Sequence, residues 1–108
     1  MTEAIDPYIR LEWSMGIECD MVIALEARLK RQGFPMPLTV ADRILEELGI
    51  RHRGLVWNGE GYVHIRTSTA NWLANLAIEH AGHAEEDYNK RNFIQLADKI
   101  IDQVTTNA

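Results

Sequence analysis

The chain has 108 residues, 46% of them hydrophobic and 25% charged, with a formal net charge of −5. This composition is typical of a folded globular protein and argues against an intrinsically disordered chain. The negative charge argues against a dedicated nucleic-acid-binding protein, because such proteins neutralise phosphates with a basic surface. The length, together with the lack of repeats and linker-like segments, predicts a single compact domain over residues 1–108.

The sequence also favours a particular compartment. No apolar run approaches the roughly 20 residues that a membrane-spanning helix needs. The first residues, "MTEAIDPYIR", lack the basic and apolar regions of a signal peptide. The single cysteine, Cys19, cannot form an intrachain disulfide. We therefore expect a cytoplasmic protein with no membrane contact.

The first predicted helix begins at Asp6, since Asp is a favourable N-cap and the proline after it fits the first helical position. Apolar residues at helical spacing continue the helix from Leu11 to Leu29, and Gly33 ends it. Because glycine can break or bend a helix, Gly16 suggests an alternative in which two shorter helices replace this one.

The second predicted helix begins at Thr39 and ends at Gly49. Its apolar face consists of Val40, Ile44, Leu45 and Leu48. Ile50 lies where a Schellman cap places its hydrophobic contact.

Residues 54–65, "GLVWNGEGYVHI", predict a β-hairpin between the second and third helices. A two-residue loop would pair Trp57 with Glu60, whereas a four-residue loop, 58–61, would pair Trp57 with Tyr62. We prefer the second register because it matches aromatic with aromatic residues. One face would then carry Leu55, Trp57, Tyr62 and His64, and the other Val56, Val63 and Ile65. The aliphatic face should contact the helices.

Two further helices are predicted after the hairpin. The third covers about 70–88 and is capped by one of residues 67–69, and the fourth covers about 93–104 and is capped by Asn92. The predicted fold class is therefore α+β and mainly helical, with about four helices and one hairpin in the order α-α-β-β-α-α.

The segment 77–87, "AIEHAGHAEED", holds two histidines among four carboxylates. On a helical wheel, His80 lies within the apolar face and His83 at its edge. The two histidines are three residues apart, and side chains at this spacing can bind one metal ion. Glu79 and an inward-facing Glu18 would complete the site of a metal-dependent helical enzyme or sensor. A zinc site needs about four ligands, and we prefer the alternative in which His80 is a hydrogen-bonded core residue. We therefore predict no metal.

Other catalytic signals are weak. No serine or cysteine stands in a recognisable nucleophile motif, and the glycines of "NGEG" precede a strand instead of the helix that a phosphate loop needs. The sequence thus favours a non-enzymatic protein with no cofactor.

The hairpin offers the best candidate for a binding surface. Trp, Tyr and Arg side chains anchor many protein interfaces. Trp and Tyr bury a large area with few torsions, and all three add polar contacts. The candidate partner-binding residues are Arg53, Trp57, Glu60, Tyr62, His64 and Arg66. The alternative is that a helix covers these aromatic residues as part of the core. An exposed face would bind another protein, a ribonucleoprotein or a second copy of the chain.

A DNA-binding winged helix is a third hypothesis. Residues 37–50 resemble the first helix of a helix-turn-helix, and the hairpin would be its wing. However, "RHRG" (51–54) follows where a recognition helix should begin, and the overall charge is acidic. Nucleic-acid binding is therefore disfavoured.

Two short segments, "VWNGEGY" (56–62) and "ANWL" (70–73), resemble parts of small acidic anti-CRISPR proteins encoded by phages. The resemblance implies a non-enzymatic inhibitor that binds a bacterial CRISPR effector at a DNA-facing surface. It further implies that acidic side chains stand in for phosphates. These would be Glu60, Glu79, Glu85, Glu86 and Asp87.

Overall fold

A computed structural model of the protein describes residues 5–51 and 61–106. Its elements in chain order are β1 (Tyr8–Glu12), α1 (Met15–Arg31), α2 (Pro37–Glu47), β2 (Tyr62–Arg66), α3 (Thr67–His83) and α4 (Asp87–Thr106). The predicted fold class, mainly helical with four helices and a two-stranded antiparallel sheet, is confirmed. The position of the first strand differs, because β1 precedes α1.

The residues after Asp6 form a strand where a helix was predicted. From Tyr8 to Glu12 the side chains alternate between exposed and buried, which is the two-residue period of a strand with one covered face. The helix begins only at Met15, where the Ser14 hydroxyl accepts a hydrogen bond of 3.1 Å from the Ile17 amide. Gly16 lies inside α1 and does not divide it.

β1 pairs with β2 over five residues, from Tyr8 opposite Arg66 to Glu12 opposite Tyr62. Backbone hydrogen bonds of 2.9 Å continue the pairing at both ends, from Trp13 to Gly61 and from Thr67 to Pro7. The buried side of the sheet carries Ile9, Leu11, Val63 and Ile65. The predicted contact of Val63 and Ile65 with the core is thus confirmed. The first strand of the predicted hairpin, with Leu55, Val56 and Trp57, lies outside the described residues.

Asp6 does act as a helix cap, but for α3. Its carboxylate accepts hydrogen bonds from the Ser68 amide at 2.8 Å and the Ser68 hydroxyl at 2.6 Å. The Pro7 carbonyl accepts from the amide and hydroxyl of Thr67. The first amides of a helix lack intrahelical partners, and here the segment before β1 supplies them.

α2 begins at Pro37 instead of the predicted Thr39, and the proline occupies the first helical turn, where its missing N–H costs nothing. Its predicted end is confirmed. Gly49 adopts a φ of +77°, and the Ile50 amide donates to the Leu45 carbonyl at 3.0 Å, as a Schellman cap requires. Ile50 is fully buried.

The boundary between the last two helices was predicted wrongly. α3 ends at His83, and α4 begins at Asp87, about six residues earlier than expected. The Glu86 carbonyl accepts the first helical hydrogen bond, from the Lys90 amide. Acidic residues at positions 85–87 suit a helix N-terminus because they interact favourably with its dipole. Among the described helices, none is both long and apolar enough to cross a bilayer.

The core lies between the buried side of the sheet and the four helices. Trp13, which follows β1 directly, is 1% exposed. Alanines recur at buried positions along α3, where small side chains let a neighbouring helix approach closely. They are Ala70, Ala74, Ala77 and Ala81. α3 and α4 accordingly form the most extensive contact between elements of the described part of the chain.

Glu18 is 1% exposed, which confirms that it points inward from α1. Its Oε1 atom lies 3.1 Å from Nη1 of Arg51, and Nε of Arg51 lies 3.0 Å from Oδ1 of Asp42 in α2. A buried carboxylate is costly unless it is paired. The Arg51 guanidinium therefore ties the segment after α2 to both α1 and α2.

We expect Arg51→Ala to lower the free energy of unfolding by about 3 kcal/mol, because it removes the guanidinium that compensates the buried Glu18 carboxylate. Urea denaturation followed by circular dichroism would measure the loss. Arg43→Ala is the control, since Arg43 is an exposed arginine of α2 and such substitutions usually change stability by less than about 0.5 kcal/mol. Equal losses in the two variants would contradict a stabilising role for the Glu18–Arg51 pair.

Candidate functional site

The solvent side of the sheet collects aromatic and basic side chains from both strands. Because side chains alternate along a strand, the residues between the buried positions all point away from the core. They include Tyr8, Arg10, Tyr62, His64 and Arg66, which we name the Tyr–Arg face. Tyr62 is half-buried and the other four are exposed. Within the described residues, the helices therefore do not enclose Tyr62 in the core. Trp57, the other aromatic residue in that alternative, lies outside the described residues.

Two arginine–tyrosine stacks order the Tyr–Arg face. The Arg10 guanidinium lies over the Tyr62 ring, with Cζ 3.7 Å from the ring centroid. The Arg66 guanidinium lies over the Tyr8 ring at 4.8 Å. Tyr62 also meets His64 edge to face, with ring centroids 5.4 Å apart. A cation held over an aromatic ring is attracted by the ring quadrupole, so both guanidinium groups are positioned before any partner arrives.

The carboxylates next to this face are already engaged. Glu12 Oε2 lies 2.8 Å from Lys99 Nζ of α4. The hydrogen bonds from Ser68, and secondarily the charge of Arg66, lower the pKa of the Asp6 carboxyl group. Within the described part of the chain, neither Arg10 nor Arg66 forms an ion pair. Among the described residues on and beside this face, the cations Arg10, Arg66 and Lys99 outnumber the carboxylates Asp6 and Glu12, so the Tyr–Arg face carries a small positive charge on an acidic protein.

Three of the six predicted partner-binding residues lie on the Tyr–Arg face: Tyr62, His64 and Arg66. The other three, Arg53, Trp57 and Glu60, lie outside the described residues. Sequence analysis missed Tyr8 and Arg10 because it assigned them to a helix. The signal was present in "YIRLEW", where aromatic or charged residues alternate with Ile9 and Leu11.

The structure separates the histidines of the segment 77–87. His83 is exposed in the last turn of α3, whereas the His80 ring packs edge to face on Phe93 of α4, with centroids 4.4 Å apart. His80 Nδ1 is buried, and no described group forms a hydrogen bond with it. His80 is thus a packed residue, as preferred from the sequence, but this nitrogen lacks the expected hydrogen bond.

Burial lowers the pKa of His80, the positive charges of Arg31 and His83 lower it further, and the Asp20 carboxylate opposes them. Burial raises the pKa of Asp20 on α1, although the Asn92 amide, 3.4 Å away, and the charge of His80 act in the opposite direction. The packing therefore favours the neutral form of both groups.

The carboxylates proposed as metal ligands are paired with arginines. Glu79 Oε2 lies 2.7 Å from Arg28 Nε and 3.1 Å from Arg31 Nη2, and the hydrogen bond from Arg28 is the main cause of its lowered pKa. Glu18 faces Arg51 instead of His80. Among residues 5–51 and 61–106, no three His, Cys, Asp or Glu side chains converge as metal ligands would.

Comparisons with family models, curated proteins and solved structures found no match for this chain.

The lowered pKa of His80 predicts acid sensitivity. Below about pH 6.5 the unfolded chain binds a proton at this imidazole more readily than the folded chain does, so stability falls as the pH falls through this range. The raised pKa of Asp20 has the opposite effect on stability, because protonation of this carboxyl group favours the folded state, and it acts mainly at lower pH. We expect His80→Leu to flatten the dependence of the unfolding free energy on pH between about 7 and 5.5.

The control is Ile78→Leu, which changes an exposed side chain of α3 without adding or removing a titratable group and should keep the pH dependence of the original protein. Urea denaturation at several pH values would measure both variants. A slope in His80→Leu as steep as in the original protein would contradict the assignment.

Proposed function

We propose that this protein acts by binding another macromolecule through the Tyr–Arg face, without a chemical step of its own. The observation that carries the proposal is the pair of arginine–tyrosine stacks on the side of the sheet that the described residues leave exposed. Tyr and Arg are the residue types most often found, with Trp, at the energetic centres of interfaces. We further propose a cytoplasmic setting, which the single cysteine favours.

The stacks support binding for a thermodynamic reason. Fixing a long, flexible side chain at an interface costs roughly 0.5–1.5 kcal/mol per side chain. The rings of Tyr62 and Tyr8 already restrict Arg10 and Arg66, so much of this cost is met in the free protein. A guanidinium also presents several N–H donors in a fixed plane, which suits carboxylate or phosphate acceptors.

The competing hypotheses gain less support. For the winged helix, Arg51 of the "RHR" segment is turned toward Glu18 and Asp42 and so does not face solvent as a phosphate-binding residue would. For the metal-dependent enzyme, Glu18 and Glu79 have arginine partners. An anti-CRISPR inhibitor is a narrower form of the proposed function. In "ANWL", Ala70 and Leu73 are core residues, so the fold already explains them without a CRISPR partner.

The variant Arg10→Gln/Arg66→Gln tests the proposal. Affinity purification with the full chain from the organism that encodes it, quantified by mass spectrometry, should recover at least one partner with the original protein. We expect the double variant to recover at least tenfold less of that partner, because two charge-assisted contacts are removed.

The matched control is Lys30→Gln/Arg43→Gln, which also removes two exposed positive charges but from α1 and α2. It should retain the partner, and circular dichroism should confirm that both variants are folded. Equal recovery with the two double variants would contradict the proposed function.

A further inference from the structure

An apolar groove lies between the end of α2 and the beginning of α3. Ile44, Leu48 and Trp72 form its apolar walls, Ser68 and Thr69 complete the lining, and its volume is about 320 Å³. Ile44 and Trp72 are half-buried, whereas Leu48 is 39% exposed. The volume lies at the lower end of the range for sites that enclose a small ligand or a side chain.

The apolar groove is continuous with the Tyr–Arg face. A second depression, of about 190 Å³, is bordered by Tyr8, His64 and Arg66, and also by Leu48 and Thr69. Leu48 and Thr69 therefore line both depressions. The molecule thus presents one connected surface, with an aromatic and basic half on the sheet and an apolar half between the helices.

The charges differ between the two ends of this surface. Arg10 and Arg66 lie on the sheet half and form no ion pair with the described residues. Glu12 is paired with Lys99, and the Asp6 carboxylate, which accepts hydrogen bonds from Ser68, interacts with the charge of Arg66. Three described cations thus face two carboxylates on this half. Glu47 borders the connecting depression from the α2 side. A carboxylate of a partner is therefore attracted to the sheet half and repelled from the α2 side.

On the basis of the function proposed above, we propose that this surface binds an acidic polypeptide segment of a partner protein. One large apolar side chain of the segment fills the apolar groove against Trp72 and Leu48. Carboxylates next to it in the segment lie over Arg10 and Arg66, each able to accept two hydrogen bonds from a guanidinium.

A polypeptide fits this surface better than a nucleic acid does. In a polypeptide, carboxylates and an apolar side chain can alternate, and in an extended segment side chains on one face recur about every 6.6–6.8 Å. A nucleic acid carries a phosphate at every nucleotide, so some would lie beside Glu47. The net charge of −5 also opposes a polyanion more strongly than a short acidic segment.

Selection of a displayed library of random linear peptides against the full chain tests the proposal. We expect the enriched peptides to share acidic residues next to one large apolar residue. A basic consensus, or no enrichment over an uncoated surface, would overturn the proposal. Binding of a labelled single-stranded oligonucleotide more tightly than the best peptide would also overturn it.

Two variants then locate the bound peptide. Leu48→Gln should weaken binding of the selected peptide at least tenfold, because it places an amide in the apolar groove. The fold should tolerate this change, since the Leu48 side chain is already partly exposed. Arg10→Gln/Arg66→Gln should weaken it to a similar extent. The control Ile94→Gln alters an exposed isoleucine of α4, 47% exposed and lining a separate groove with Ile78, and should bind as the original protein does.

These variants separate the two proposals. If Leu48→Gln binds the peptide normally while the arginine variant does not, the apolar groove is not the anchor site, and binding through the Tyr–Arg face stands. If the arginine variant also keeps both the peptide and the cellular partner, both proposals fail. Fluorescence anisotropy at fixed ionic strength would measure each affinity.

Discussion

The antiparallel pairing of β1 with β2 is the interaction on which the rest of the structure depends. A two-stranded sheet is marginally stable by itself in water, so it persists only because the helices cover one of its sides. Ile9 and Leu11 from one strand and Val63 and Ile65 from the other form that covered side. The same alternation sends Tyr8, Arg10, Tyr62 and Arg66 to the opposite side, and core formation therefore creates the candidate binding surface.

The pairing also organises the helices around it. The Asp6 carboxylate and the Pro7 carbonyl, just before β1, accept hydrogen bonds from the first residues of α3. The side-chain oxygen of Gln103, on α4, accepts a hydrogen bond from the Glu12 amide, and Lys99 pairs with the Glu12 carboxylate. Both sets of contacts link the N-terminal strand to elements far along the chain.

Arginine side chains compensate the negative charge of acidic residues in or near the core. Glu18 is buried in α1 and Glu79 is partly buried in α3, and each lies against guanidinium groups of other elements. From the sequence, both carboxylates could be metal ligands beside His80. Residue type and helical spacing alone do not show which basic side chain of another element lies next to each carboxylate. Arg10 and Arg66 differ because they lie over tyrosine rings and form no ion pair with a described carboxylate. This difference is the basis on which we propose the Tyr–Arg face as a binding surface.

Features that depend on residues close together in the chain were predictable from the sequence. The alternation of Val63 and Ile65 identified β2 and its buried side, and Gly49 with Ile50 identified the end of α2. Only the tertiary structure decided that residues 8–12 pair with β2. Asp6 and Pro7 are favourable at the start of a helix, and the strand after them forms by pairing with residues 50 to 58 positions further along the chain. Two of the five residues of the Tyr–Arg face, Tyr8 and Arg10, were missed for this reason. A local pattern limits the conformations of a segment, whereas the segment with which it pairs depends on contacts that exist only in the folded chain.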